Sequence, residues 1–351
     1  MTQYSVALLG CGPRGRAHAE AFLKNSDRFN LVALCDKDRE RLQSLSSTLN
    51  IPKTYTNAED MLSSERPDVF CFATLPKIRF DLVELGVKHG AKAIAYEKPM
   101  ATSVAEARQI RQVCKEAGVK TIVSHQHKYG SHWRKVKKLI DSGEIGKIHT
   151  IHATSKGWFF HYATHLIDYM MFLNGGNRGL WVVGHVHGKE KLSDNHPSPA
   201  YVMGQIEFEN GVRGIVECGT LVPDQPGKNT FWMNAGATVY GSRGYAQVIV
   251  GSGWRAFTRS SPGLVWGRGG FNVPKDQSSY IRDLADWLDD PGKVHPCNGE
   301  ITYHGFELAM GICLSGLEKR KVTIPLGPVE PIVGRLRQEL PEETLTQGEK
   351  R

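Results

Sequence analysis

Ser5-Val-Ala-Leu-Leu9-Gly10-Cys11-Gly12-Pro13-Arg14-Gly15 decides the fold of this 351-residue chain. An apolar run of strand length ends on G-x-G-x-x-G, and a helical pattern through His18 and Phe22 follows. Glycines at this spacing make a tight strand-to-helix turn, let the backbone approach a pyrophosphate and aim a helix N-terminus at it. Asp36 stands 21 residues past Gly15, at the end of a second apolar run, Leu31-Val-Ala-Leu-Cys35. An acid in that place receives the adenosine ribose hydroxyls. Gly10, Gly12, Pro13, Arg14, Gly15 and Asp36 are therefore the expected cofactor-binding residues. Asp36 repels a 2′-phosphate and so favours NAD, while the basic pair Lys37 and Arg39 leaves NADP open.

Working outward, strand and helix patterns alternate. Leu42, Leu45 and Leu49 share one helix face, and the apolar run Val69–Ala73 follows. Next come a helix with Phe80, Val83 and Val87 in register, the run Ala93–Tyr96, and Ser103-Val-Ala-Glu106, a capping box opening a helix. Thr121–Val123 is a fifth strand. Repeated βα units with wholly apolar strands predict a parallel sheet covered on both faces.

After about residue 145 the pattern becomes antiparallel: Val202, Ile206 and Phe208 alternate with polar residues, Asn210-Gly211 reads as a hairpin turn, and Gly241–Gly244 as another. Two helices close this second domain, one carrying Ile281, Leu284 and Leu288, the other Tyr303, Phe306, Met310, Cys313, Leu314 and Leu317. The expected division is a Rossmann dinucleotide-binding domain over 1–125, an α+β domain over 126–330 and a polar C-terminal tail over 331–351.

Composition excludes several classes. Hydrophobic residues make up 40% and charged residues 23%, which rules out a disordered or fibrous chain. No run reaches the ~18–20 apolar residues of a membrane span, and no basic region precedes a hydrophobic block at the N-terminus. The seven cysteines form no Cys-x-x-Cys pair, which argues against a disulfide framework or a zinc ribbon and for a reducing cytoplasm. The net charge of +8 has its densest cluster at Lys128, Arg134, Lys135, Lys137 and Lys138. That cluster reads as the solvated face of a helix burying Trp133, Val136, Leu139 and Ile140, so no nucleic-acid partner is expected.

Two further clusters carry chemistry. Lys98, in Tyr96-Glu97-Lys98-Pro99, ends the fourth main strand, where open α/β sheets bind ligands. It is either a surface lysine or a donor that stabilises alkoxide charge on a substrate. His161, His165 and Asp168 occupy i, i+4 and i+7 of one helix. The H-E-x-x-H glutamate is absent and no third ligand is evident, so no metal is expected. The histidines are either structural or exchange the proton that accompanies hydride transfer. Trp158 either stacks on a sugar ring or belongs to a core. His125, Gln126, His127 and Tyr129 are either substrate contacts or ordinary loop residues.

Assembled, these pieces resemble the Gfo/Idh/MocA family of glucose–fructose oxidoreductase, inositol dehydrogenase and rhizopine-catabolism proteins. The resemblance runs from about residue 4 to residue 326. It rests on Gly10–Gly15 with His18, Asp36, Thr74-Leu-Pro76, Glu97-Lys98-Pro99, Ile140–Gly146, His165-x-x-Asp168 and Val322–Leu326. It implies a second domain built on a large, open, mostly antiparallel sheet, homodimers or homotetramers formed through that sheet, and NAD- or NADP-dependent oxidation of a sugar or polyol hydroxyl. By position, Lys98 would contact the reacting hydroxyl, His165 would exchange its proton, Glu97 would lie on the nicotinamide side, and Thr74 and Pro76 would line the cofactor crevice.

Two departures stand out. His161 replaces a carboxylate and cannot raise the basicity of His165 as an acid would, so it is a relay, a base or a substrate contact. Arg79 stands where relatives often carry histidine; it would face an anionic group and is placed with the cofactor-binding residues. Three functions compete: a dehydrogenase; an NAD-dependent glycoside hydrolase or lyase using transient oxidation, elimination and hydride return, with His161 abstracting the α-proton; and a non-catalytic dinucleotide sensor.

Overall fold

The first apolar runs pair edge to edge because their residues are buried on both faces, which requires a sheet with a layer on each side. The computed structural model describes residues 2–193, 197–225 and 233–341. In chain order the first elements are β1 (Tyr4–Leu9), α1 (Pro13–Lys24), β2 (Phe29–Cys35), α2 (Arg39–Leu49), β3 (Thr54–Tyr55), α3 (Ala58–Glu65), β4 (Val69–Phe72), α4 (Arg79–Lys88), β5 (Ala93–Tyr96), α5 (Val104–Glu116) and β6 (Lys120–Val123). The strands form a parallel sheet in the order β3-β2-β1-β4-β5-β6. The order reverses between β1 and β4, and such switch points are where these sheets bind ligands beyond their carboxyl ends.

The remaining elements are α6 (Ser131–Asp141), β7 (Ile148–Ser155), α7 (Phe159–Leu173), β8 (Gly179–His187), β9 (Tyr201–Phe208), β10 (Arg213–Gly219), β11 (Ala235–Gly241), β12 (Gly244–Ile249), β13 (Gly253–Phe257), β14 (Val265–Arg268), α8 (Val273–Asp289), α9 (Gly299–Glu318), β15 (Val322–Thr323) and α10 (Ile332–Glu339). Among the described residues, nine strands form a second sheet ordered β14-β13-β12-β11-β7-β10-β9-β8-β15, in which β7–β10 is the one parallel pair. The α/β class and the mostly antiparallel second sheet are as the sequence predicts. Gly211 takes a φ of 78° in the β9–β10 turn, a left-handed conformation that suits glycine.

Contacts divide the chain into one unit of Met1–Tyr129 with Asn272–Tyr303, and another of Gly130–Phe271 with His304–Arg351. Sequence position puts α8 in the second domain, whereas its contacts put it with the Rossmann sheet. Tyr280, Ile281 and Leu284 of α8 join the core of β1, β2 and α1. Buried Arg28 pairs with Asp286 at 2.8 Å and Asp289 at 2.6 Å, and the Tyr4 hydroxyl donates to Asp289 at 2.7 Å. An apolar stripe specifies that α8 is buried; only these distant partners specify where.

Smaller differences have equally local causes. Ser103 caps α5 through the Glu106 amide, but Glu106 reaches back to Thr102 instead of completing the box on Ser103. Lys128 leaves the basic face of α6 and is buried, its ammonium donating to the Pro296 carbonyl at 2.9 Å. The segment expected as a tail opens with α10, whose Ile332 and Leu336 are buried; residues 342–351 lie outside the described residues.

Candidate active site

In the first unit the glycine turn is built by close backbone approach. Gly10 has a φ of 98°, its amide donates to the Cys35 carbonyl at 2.8 Å, and a Cβ on it would lie 2.5 Å from the Ala73 carbonyl oxygen. Gly12 caps α1 with no side-chain bond to the first turn, and a Cβ there would meet nothing within 4 Å. The turn therefore leaves helix amides and open space where a phosphate fits. Asp36 accepts from the Cys11 amide at 2.7 Å and the Asp38 amide at 2.9 Å, which orients its carboxylate while leaving lone pairs for ribose hydroxyls. These residues fit a dinucleotide.

Arg14 follows a different course from the expected phosphate contact. Its guanidinium donates to Glu97 at 2.9 and 2.7 Å and to Gln277 at 3.3 Å. His18, fully buried, bonds Glu97 at 3.0 Å through Nε2, and the Gln277 amide at 3.0 Å through Nδ1. Burial pushes the Glu97 carboxyl up, but Arg14 and the His18 hydrogen bond prevail and hold it well below the usual range. Glu97 is thus an ionised anchor for the residue that follows it. Burial lowers the Lys98 ammonium to about 8, with Arg14 and Arg79 pushing the same way and Glu97 opposing them. Gln277 was not singled out by sequence; its only signal there is a polar residue on the apolar stripe of α8.

The other expected residues of this unit divide between open and committed. Pro76 opens a 3₁₀ turn, Pro76–Ile78, and Thr74 Oγ1 is buried without a hydrogen-bond partner. Arg79 is 1% exposed, so its guanidinium lies inside the unit and not at an open anion contact. His125 is buried and held neutral, first by burial and then by the Lys128 and Lys98 charges. Tyr129 serves the core: its ring meets Tyr280 edge-on and its hydroxyl donates to Asp283 at 2.6 Å.

In the second unit α7 carries the histidine stripe. His165 and Asp168 are buried at 3% and 2% exposure, and His161 is half-buried. Tyr162 and Tyr169 flank the His165 ring at 5.1 and 6.0 Å, fixing its plane. Trp158 stands at the N-cap of α7, its ring centre 6.4 Å from that of His161, and Lys191 covers its ring at 5.0 Å. Among the described residues, no group of three or more His, Cys, Asp or Glu side chains is placed to hold a metal ion.

Residues 4–125 match the model of an oxidoreductase family with an NAD-binding Rossmann fold, and residues 133–247 match the GFO/IDH/MocA C-terminal domain. The chain belongs to the Gfo/Idh/MocA family. Among proteins of this kind, D-apiose dehydrogenase of Paraburkholderia graminis is 35% identical over 144 residues, 41% of this chain and 38% of that protein. The scyllo-inositol 2-dehydrogenase (NAD(+)) of Bacillus subtilis is 25% identical over 63% of this chain and 68% of its own. The chain spans about two fifths of the length of the apiose dehydrogenases it matches, 38% and 42%. Levoglucosan dehydrogenase in complex with NADH and levoglucosan superposes with a TM-score of 0.80 at 16% identity, over 93% of this chain and 100% of that one. An Agrobacterium radiobacter oxidoreductase in complex with NAD+, L-tartaric acid and magnesium gives 0.79 at 17% identity, over 92% and 99%. These two likenesses show a shared fold across nearly the whole chain.

Proposed function

We propose that this protein is an NAD-dependent dehydrogenase acting on a hydroxyl-bearing carbon of a sugar, polyol or sugar derivative. The observation that carries the reading is Lys98 directly beyond the carboxyl end of β5, adjoining a Glu97 locked by Arg14 and His18. The similarity to the apiose, inositol and levoglucosan dehydrogenases supports the substrate class.

NAD held at the glycine turn supplies the hydride acceptor. Lys98 Nζ donates a hydrogen bond to the reacting oxygen and stabilises its negative charge as the C–H bond weakens. His165 takes the hydroxyl proton, and His161, one turn earlier on α7, passes it on. Asp36 selects the cofactor by accepting from both ribose hydroxyls. Asp36→Ser is expected to weaken NAD binding about 10–100-fold, the worth of hydrogen bonds to a charged group, and to narrow the gap to NADP. Calorimetric titration with both nucleotides checks this.

The test supplies NAD with a panel of sugars, polyols and glycosides and follows both NADH and released product. Accumulating NADH is expected. Product release at constant NAD would overturn the reading in favour of the transient-redox hydrolase, and binding without turnover in favour of a sensor.

We also propose a cytoplasmic homo-oligomer. Its seven cysteines are buried thiols, as a reducing compartment allows, and no described helix is long and apolar enough to cross a membrane. Strand register puts Val183, Met203, Tyr240, Phe257 and Trp266 on one sheet face, at 39–67% exposure. Large apolar side chains exposed among polar ones on one sheet face suit a second copy. Met203→Glu with Phe257→Glu is expected to yield monomers by light scattering; an unchanged mass would remove this face from the interface.

A further inference from the structure

Arg79 is the first residue of α4 and is buried, yet among the described residues no carboxylate pairs with it directly. Its Nη2 donates to the Thr74 carbonyl at 3.3 Å and to the Lys98 carbonyl at 3.2 Å. Nε and Nη1 are buried without hydrogen-bond partners, and the guanidinium carbon lies 5.7 Å from the centre of the Tyr96 ring. Tyr96 in turn stacks on Phe72 at 5.0 Å, its register partner across β4 and β5. Burying a cation without a direct ion pair is costly, and an apolar side chain would fill this space more cheaply. What the guanidinium supplies in return is a bridge: one carbonyl belongs to the segment after β4, the other to Lys98 after β5.

We propose that Arg79 is a positioning residue for Lys98, tying the lysine's main chain to the neighbouring strand end and presenting a fixed positive charge behind it. The inference rests on the reading of Lys98 as the group that meets the reacting oxygen, and it adds a residue whose role is neither cofactor nor substrate contact. The charged groups around Lys98 in this unit are Glu97, Arg14 and Arg79, with His125 kept neutral beside them. Arg14 is matched by its bond to Glu97, whereas Arg79 forms no direct ion pair among the described residues. Tyr96, Glu97 and Glu106 are the groups that act on Arg79 itself.

The test uses the whole 351-residue chain saturated with NAD and requires no substrate. Arg79→Met removes the bridge and the charge, Arg79→Gln keeps an amide donor without the charge, and Arg79→Lys keeps the charge without the fork. In Arg79→Met, amide exchange in segments 74–76 and 97–101 is expected to accelerate about tenfold while other segments hold their rates. The pH midpoint for acetylation of Lys98, read by mass spectrometry, is expected to rise by about 0.5–1 unit once a neighbouring cation is gone. Arg79→Gln should restore slow exchange but keep the raised midpoint, and Arg79→Lys should do the reverse. Wild-type exchange and midpoint in folded Arg79→Met overturn the proposal. If that variant does not fold, equal behaviour of the Gln and Lys variants overturns it instead. A failure of the dehydrogenase reading shows elsewhere, as unchanged turnover in Lys98→Met.

Discussion

Lys98→Met is expected to lower turnover by about 10²–10⁴-fold, the range spanned by loss of one donor to a developing oxyanion or of one acid–base group. Methionine matches the length and apolar stem of lysine, so Glu97 keeps its bonds to Arg14 and His18 and the strand end keeps its shape. NAD affinity should therefore stay within about threefold, because the variant removes an interaction made in the transition state and spares ground-state binding. The pH profile carries a second signature. A donor must be protonated, and the Lys98 ammonium is lowered to about 8 by burial with help from Arg14 and Arg79. Alcohol oxidation in the wild type should fall as pH rises through about 8, where an unperturbed lysine would stay charged until about 10.4. Rapid-mixing assays across pH with the first active substrate check both claims. Retained turnover in Lys98→Met would remove this residue from the chemistry.

Gly15→Ala is expected to reduce NAD affinity at least about 100-fold, and it is the larger structural insult. A Cβ at this position would lie 1.6 Å from the Gly10 carbonyl oxygen and 2.7 Å from its carbonyl carbon. Both are backbone atoms, so no side-chain rotation relieves the overlap; α1 must move away from the turn, or the turn must open. Either movement displaces Gly10, whose amide is bonded to Cys35 and whose Cα faces the Ala73 carbonyl. The helix N-terminus then no longer points at the pyrophosphate, and the anion loses both hydrogen bonds and dipole. Fluorescence titration with NADH measures the loss. Gly12→Ala is the contrasting control, since a Cβ there meets no protein atom and acts only on what occupies the open space.

Much of this was legible in the sequence. The glycine turn, Asp36, the strand ending in Lys98 and the stripe of His161, His165 and Asp168 depend on spacing along a single strand, turn or helix. Local geometry alone puts such residues on one face. The α/β class followed for the same reason, as apolar runs buried on both faces leave no alternative to a covered parallel sheet. The two tight turns of the second domain were likewise readable from glycine and asparagine.

Other features depended on pairings that no spacing encodes. Arg14, next to the phosphate turn in sequence, turns its side chain to Glu97, 83 residues away. Gln277 joins the same network from a helix that sequence position assigns to the other domain. Tyr129 read as a substrate contact or a loop residue and Lys128 as basic surface, but α8 and the chain after it bury both. Arg79 suggested an anion contact until burial showed its guanidinium bound to two carbonyls. The sequence by itself determined the nucleotide-binding half and the placing of Lys98 at a strand end and of the histidines on one helix face, because periodicity and turn geometry act over a few residues. Tertiary structure alone decided which charges are spent on holding Glu97 and Lys98 in place, because a buried polar group takes whichever partner packing brings within 3 Å.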